Sequence, residues 1–425
     1  MADFPEEIYY IWLAKALGAG SRFAAEVLRR HTDVREFYAS LPGALKEFDA
    51  CTESIKKRLL STKLDSAAEI FKQCGKAGCR LITCRQSSYP ERLLNIQDFP
   101  PVLYAKGNFE KLAELNARPA IAVVGTRKPS PYAESAARFI SYDLARAGFA
   151  VLSGLAAGID FAAHAECMRA KGLTAAFAGC GVDIDYPKPN NILRSEIEKR
   201  GIILSEFPPG TPPMKGNFPV RNRLLSGAAV GVLVVEGGLR SGSLITAAHA
   251  VLQDRDVFAL PGDIFDSRSE GAFWLIQDGA APVMSALDIV IHYLDAYPDR
   301  LTAENIRPNF FSPALRKNPP DVKIIKPEIR KNNSVMPKNK EVRPGSNKGG
   351  GAQVLSAAAK APPDPGVLSA NAQKILSLMG AEPAHADELQ ESSGLSPTEL
   401  LAAMTELELE GFAENQPGRM YLRLT

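Results

Sequence analysis

Two arginines two positions apart, Arg221 and Arg223, stand before an apolar run at 230–235. The segment Gly237-Gly238-Leu239-Arg240-Ser241-Gly242-Ser243 follows that run. Glycines let backbone N–H groups crowd toward an anion, and a helix opening behind such a loop adds unpaired donors and a favourable dipole. The chemistry on offer is the holding of a phosphate. The lysine of a G-x-x-x-x-G-K-[ST] loop does not occur here, which excludes triphosphate hydrolysis on that pattern.

The same device recurs upstream. Apolar residues 120–124 lead into Gly125-Thr126-Arg127-Lys128, and 149–152 lead into Ser153-Gly154 and on to Asp160 and His164. Residues 174–178 run into Gly179-Cys180-Gly181, and 202–204 end at Ser205-Glu206. Short apolar strands alternating with helical patterns predict an α/β fold, a parallel sheet with helices on both faces. The loops at the strand carboxyl ends then form one ligand edge, and several polar glycine loops on it mean an extended site.

Five segments carry a resemblance: VGTR at 124–127, SGLAAGIDFAAH at 153–164, GVDIDYP at 181–187, FPVRNRLLSG at 218–227 and EGGLRSGSLITA at 236–247. Together they resemble the Rossmann-like core of the DNA-processing protein A family (DprA, also called Smf), over residues 87–295. The resemblance implies a doubly wound Rossmann-like sheet in a bacterial cytoplasmic protein. It implies binding of single-stranded DNA and delivery to the RecA recombinase in natural transformation, with no catalysis and no cofactor. It also implies homodimers paired through the far end of this domain. One departure is Phe273, where the family usually carries a polar residue before Leu275-Ile276. Phe273 and Trp274 are adjacent and cannot share one helix face, so an interface through Phe273, Trp274 and Ile276 is expected.

Net charge is only +2, but it is unevenly divided. Residues 301–366 hold 12 basic and 5 acidic side chains, or +7, which leaves −5 for the rest. A core without basic excess must bind DNA through a local cluster. The expected DNA contacts are therefore the cations Arg127, Lys128, Lys215, Arg221, Arg223 and Arg240. The loop residues Gly125, Thr126, Ser153, Gly154, Asn222, Gly237, Gly238 and Ser241 join them. Arg221 and Arg223 cannot both face one way on a helix; one is expected to support structure, pairing with Glu206 or Glu236.

Four parts are expected: a helical domain at 1–65, the Rossmann-like domain at 66–298, a basic linker at 299–366 and a winged helix at 367–425. In the first, Leu17-Gly18-Ala19-Gly20 reads either as a helix–hairpin–helix turn that touches DNA or as a plain helical turn. The linker is rich in proline and glycine and reads as disordered, either a tether or an added salt-sensitive DNA contact. The last part reads as three helices and a hairpin, with a capping box at Ser396–Glu399. Its 3 basic residues against 9 acidic ones argue for protein contact instead of DNA reading.

No apolar run approaches the roughly 20 residues of a membrane span, and no secretory pattern opens the chain; a cytoplasmic protein is expected. Cys74, Cys79 and Cys84 are evenly spaced, yet without a C-x-x-C pair or a nearby histidine they suit packing better than metal. Asp160, Asp183, Asp185, Glu206 and Glu236 form no recognised metal cage. Asp160 and His164, four apart, read as a pair that ties a helix start, and His249 reads as core. Two rival functions make demands on the same sequence. A Rossmann-like nucleotide phosphoribohydrolase needs an acid closing a P-G-G-x-G-T-x-x-E loop, where Ile245-Thr246 stand. A winged-helix transcription regulator would need a basic third helix.

Overall fold

The computed structural model describes residues 4–307, 368–380, 383–409, 412–416 and 420–424. They form two compact units, one holding residues 4–307 and the other 368–424.

The first unit opens with α1 (Glu6–Leu17), α2 (Arg22–Arg30), α3 (Val34–Ala39), α4 (Glu53–Ser61) and α5 (Leu64–Lys76). Then come β1 (Arg80–Thr83), β2 (Val102–Gly107), α6 (Lys111–Ala117), β3 (Ala120–Val124), α7 (Pro131–Ala147), β4 (Ala150–Ser153) and α8 (Ile159–Arg169). They are followed by β5 (Thr174–Phe177), α9 (Asn191–Arg200), β6 (Ile202–Ser205), α10 (Asn217–Ala228), β7 (Gly231–Val234) and α11 (Gly242–Leu252). The unit closes with β8 (Asp256–Ala259), α12 (Glu270–Gln277), β9 (Ala281–Pro282) and α13 (Ala286–Leu294). The described strands make a sheet in the order β1-β2-β6-β5-β4-β3-β7-β8-β9. From β6 to β9 every neighbour is parallel, while β1 with β2 and β2 with β6 are antiparallel. β3 to β7 are buried along their whole length, because helices cover both faces; hence their unbroken apolar runs.

The chain winds outward through β3, β4, β5 and β6, then returns through α10 to lay β7 on the other side of β3. The carboxyl ends of β3 and β7 are thus the topological switch point, where open sheets leave a crevice.

The N-terminal helices are not a separate body. Ile11, Trp12 and Leu28 belong to the same apolar core as the sheet, and the Trp12 indole donates to the Thr62 carbonyl at 3.0 Å. The Gly20 N–H donates to the Glu206 carboxylate at 3.0 Å. This donor, which a DNA-binding hairpin would aim at phosphate, is used inside the unit.

The linker begins later than residue 299. Leu301 is buried, Thr302 N–H donates to the Ala147 carbonyl, and Arg307 pairs with buried Asp143 at 2.7 Å. Arg307 also lies over the Phe139 and Tyr142 rings, at 4.2 and 4.3 Å. The rest of the expected linker, 308–366, lies outside the described residues.

The second unit carries α14 (Ala370–Leu378), β10 (Ala384–His385), α15 (Ala386–Ser393), α16 (Pro397–Leu409), β11 (Ala413–Gln416) and β12 (Met420–Arg423). Its antiparallel sheet runs β10-β12-β11. Ser396 and Glu399 exchange the capping-box hydrogen bonds at the start of α16. Glu406 accepts from the Ser369 N–H and hydroxyl, so two acids of α16 cap helices.

Candidate nucleic-acid interface

A cavity of about 480 Å³ opens at the switch point. Its walls are the loop behind β3, the start of α8, the first turns of α10 and the amino end of α11.

The β3 loop is tied down by Glu236, the second residue after β7. Thr126 N–H donates to the Glu236 carbonyl at 2.7 Å. The Glu236 carboxylate accepts the Ser130 N–H at 2.8 Å and its hydroxyl at 2.6 Å. Gly158, with φ of +80°, brings α8 so close that a Cβ would lie 2.5 Å from the Thr126 carbonyl oxygen. Asp160 folds the β4 loop back, accepting the N–H groups of Gly154 (3.0 Å) and Ala156 (3.3 Å). Buried Asn190 holds the other side, donating to the Leu155 and Ala156 carbonyls. These bonds fix Leu155 at φ of +60°, a costly conformation for a branched side chain.

Arg221 is the centre of the site. It is buried and donates to the carbonyls of Gly154 and Phe177 and to Asn222 Oδ1. Among the described residues no carboxylate comes within ion-pair distance of it. Burial lowers its pKa from the ordinary arginine value, and the charge of Asp160 opposes that fall. Burial also raises Asp160, against the pull of Arg221. A buried cation held by carbonyl oxygens and lining a cavity is short of negative charge.

Phe218, which the sequence reading passed over, sits between the arginines. The Arg127 guanidinium lies 5.4 Å from its ring centroid, the Arg221 guanidinium 6.0 Å, and the Tyr186 ring 5.6 Å. Arg127 and Lys128 are exposed at the rim. Ser241 caps α11, accepting the Ser243 N–H at 3.3 Å, and that first helical turn faces the cavity. Asn222 bridges the two sides by donating to the Gly242 carbonyl at 3.1 Å.

Other expected contacts lie elsewhere. Arg223 points away, into a buried ion pair with Glu206 and a second contact with Asp98 at 3.5 Å. The Ser153 hydroxyl is fully buried and donates to the Val123 carbonyl at 2.6 Å. Gly154 is buried against Arg221: a Cβ there would lie 2.5 Å from Nη1. Gly237 N–H donates to the Arg268 carbonyl at 2.8 Å, and the Gly238 carbonyl accepts the Ser241 N–H at 2.9 Å. Both glycines therefore shape the loop. Lys215 and Arg240 are exposed outside the cavity walls. Gly125, Thr126, Arg127, Lys128, Arg221, Asn222 and Ser241 are the expected contacts that the fold brings together.

His164 does not pair with Asp160. Its Nδ1 meets the Thr174 hydroxyl at 2.7 Å, and burial, reinforced by Arg221, drops its pKa to about 3. Among the described residues no three His, Cys, Asp or Glu side chains converge as metal ligands would. No described helix is long and apolar enough to cross a membrane. On α12, Trp274 is 49% exposed, Phe273 is half-buried and Ile276 packs partly on the core. Exposed Val251 and Leu252 lie on neighbouring α11.

Comparison with known proteins places the site in context. Residues 80–294 match the family model described as DNA recombination-mediator protein A, and residues 358–419 match the DprA winged helix domain. Protein Smf of Synechocystis is 29% identical over 419 residues, 98% of this chain and 99% of that protein. DNA processing protein DprA of Bacillus subtilis is 42% identical over 212 residues, 50% of this chain and 70% of the relative. The X-ray structure of DprA from Streptococcus pneumoniae superposes with a TM-score of 0.59 at 33% identity, covering 68% of this chain and 98% of that one.

Proposed function

Because the chain belongs to the DNA-processing protein A (DprA/Smf) family, we propose that it binds single-stranded DNA along the carboxyl edge of its sheet and delivers the strand to the RecA recombinase in natural transformation. The observation that carries this reading is buried Arg221, with no described carboxylate within ion-pair distance, lining a cavity whose rim holds Arg127 and Lys128. A backbone phosphate supplies the negative charge that Arg221 lacks, and the amino end of α11 adds its dipole. Phe218 offers a ring face to one base, a contact worth roughly 1–3 kcal/mol that every base can make. A base in a duplex is already stacked and paired, so the site favours single strands. Phosphate and stacking contacts carry no base identity, and binding is nearly sequence-blind.

The acids of the edge support binding without catalysis. Glu236 is spent on Ser130 and Asp160 on two backbone amides, which leaves neither placed as a general base. Pairing of two copies through Trp274, Phe273 and Ile276 would bury the apolar surface that α11 and α12 leave open. The test is competition: a labelled oligothymidylate on the full chain, challenged by unlabelled single strand, duplex and AMP. Displacement by single strand at far lower concentration supports the reading. Equal displacement by duplex, or release of adenine from AMP, overturns it.

A further inference from the structure

Two of the evenly spaced cysteines, Cys74 and Cys79, lie outside the cavity at the switch point. Cys74 lies in the last turn of α5 and Cys79 just beyond it, before β1. The Cys79 N–H donates to the Cys74 carbonyl at 3.0 Å, closing the helix end into a tight turn. That turn draws the two α-carbons toward the roughly 4.4–6.8 Å over which disulfides form. The two thiols influence each other, Cys74 being raised and Cys79 lowered from the ordinary thiol value. Cys74 is buried and Cys79 half-exposed. Cys84, the third of the series, is buried apart from them, and burial pushes its thiol up to about 12.

We propose that Cys74 and Cys79 form a peroxide-oxidisable dithiol that closes to an intramolecular disulfide. Cys79, the accessible member, attacks one oxygen of hydrogen peroxide. The O–O bond breaks, hydroxide leaves and takes up a proton as water, and Cys79 becomes a sulfenic acid. The Cys74 sulfur then attacks the Cys79 sulfur, the S–O bond breaks, and the departing hydroxide takes the Cys74 proton as a second water. The two sulfurs lose two electrons together, and one peroxide is reduced to two waters. The neighbouring Cys74 thiol holds the Cys79 thiol below its usual range, which favours the attacking thiolate at the exposed position. Gln73, Lys76 and Ala77 of the same turn wall a second cavity of about 590 Å³, so the linkage would stiffen that wall. A transient, reducible disulfide of this kind is the form compatible with a reducing compartment.

The sequence supplies its own readout. Trypsin cutting after Lys72, Lys76 and Arg80 separates Cys74 and Cys79 into two four-residue peptides. The reduced full chain is treated with stoichiometric hydrogen peroxide, alkylated, digested without reductant and weighed. The expected result is a linked pair of these peptides, split by dithiothreitol, with loss of two of the six thiols when the denatured protein is titrated. In Cys74→Ser the resolving sulfur is gone, and dimedone should label Cys79 at least tenfold more than in the wild type. Unlinked peptides in the treated wild type, or equal dimedone labelling in both proteins, would overturn the proposal.

Discussion

Replacing Arg223 by methionine separates the architectural arginine from Arg221, the one proposed to meet DNA. The Arg223 and Glu206 side chains are only 3% and 4% exposed, and Glu206 also receives the Gly20 N–H. Removing the cation strands a buried carboxylate, at about 3–5 kcal/mol. Burial already raises the Glu206 pKa despite Arg223, so in the variant the acid escapes part of that penalty by protonating. Replacing Glu206 by methionine as well removes the stranded charge. What then remains is the unpartnered Gly20 N–H, worth about 1–3 kcal/mol. The double variant should thus be more stable than the single one. Urea unfolding followed by tryptophan fluorescence is the assay, since both tryptophans, Trp12 and Trp274, belong to the first unit and the winged helix stays silent. The salt dependence of DNA binding should keep its wild-type slope in the folded variant. A loss under 1 kcal/mol, or a shallower slope, would refute the assignment of Arg223 to structure.

Three further outcomes follow from the same contacts. His164 is neutral in the fold, with a pKa of about 3, and it protonates near 6.5 when unfolded. The unfolded state therefore binds more protons, and stability falls as pH drops below 6.5. By pH 5 the loss is about 2 kcal/mol, and it should vanish from urea unfolding curves of His164→Asn compared at pH 7 and pH 5. Gly154→Ala places a methyl on the Arg221 guanidinium, costing about 1–3 kcal/mol by overpacking. It should also weaken oligothymidylate binding measured by anisotropy, whereas unchanged affinity would separate Arg221 from the DNA. The proposed pairing predicts that the wild type sediments as a dimer and Phe273→Glu combined with Trp274→Glu as a monomer; a variant that stays dimeric moves the interface away from α12.

The parallel core was legible because its strands are short apolar runs that give way to glycine, serine or acidic residues, a pattern forced by burial on both faces. β1 and β2 escaped notice because they precede the phosphate-loop pattern and join the sheet antiparallel, across the β6 edge. The division of labour between Arg221 and Arg223 was not legible: two positions on one helix turn differ only in which neighbour folds beside them. Ser153 and Gly237 looked like ligand donors by position, but their donors face Val123 and Arg268 across the loops. Phe218 left a signal in its place directly before Pro219-Val220-Arg221, an aromatic among cations. Its role emerges only when β5, β3 and α10 bring Tyr186, Arg127 and Arg221 around it. The core runs past residue 299 because Leu301 and Arg307 return to α7, a contact more than 150 residues distant in sequence.

The central claim is tested most directly by the salt dependence of oligothymidylate affinity in the wild type and Arg127→Ala. Arg127 is exposed and sits at the cavity rim, so the substitution spares the fold. Each phosphate neutralised on a single strand contributes about −0.7 to the slope of log affinity against log salt. Weaker binding with a slope shallower by about that amount places the DNA backbone at the switch point. An unchanged affinity and slope would contradict the account and put the strand elsewhere on the chain.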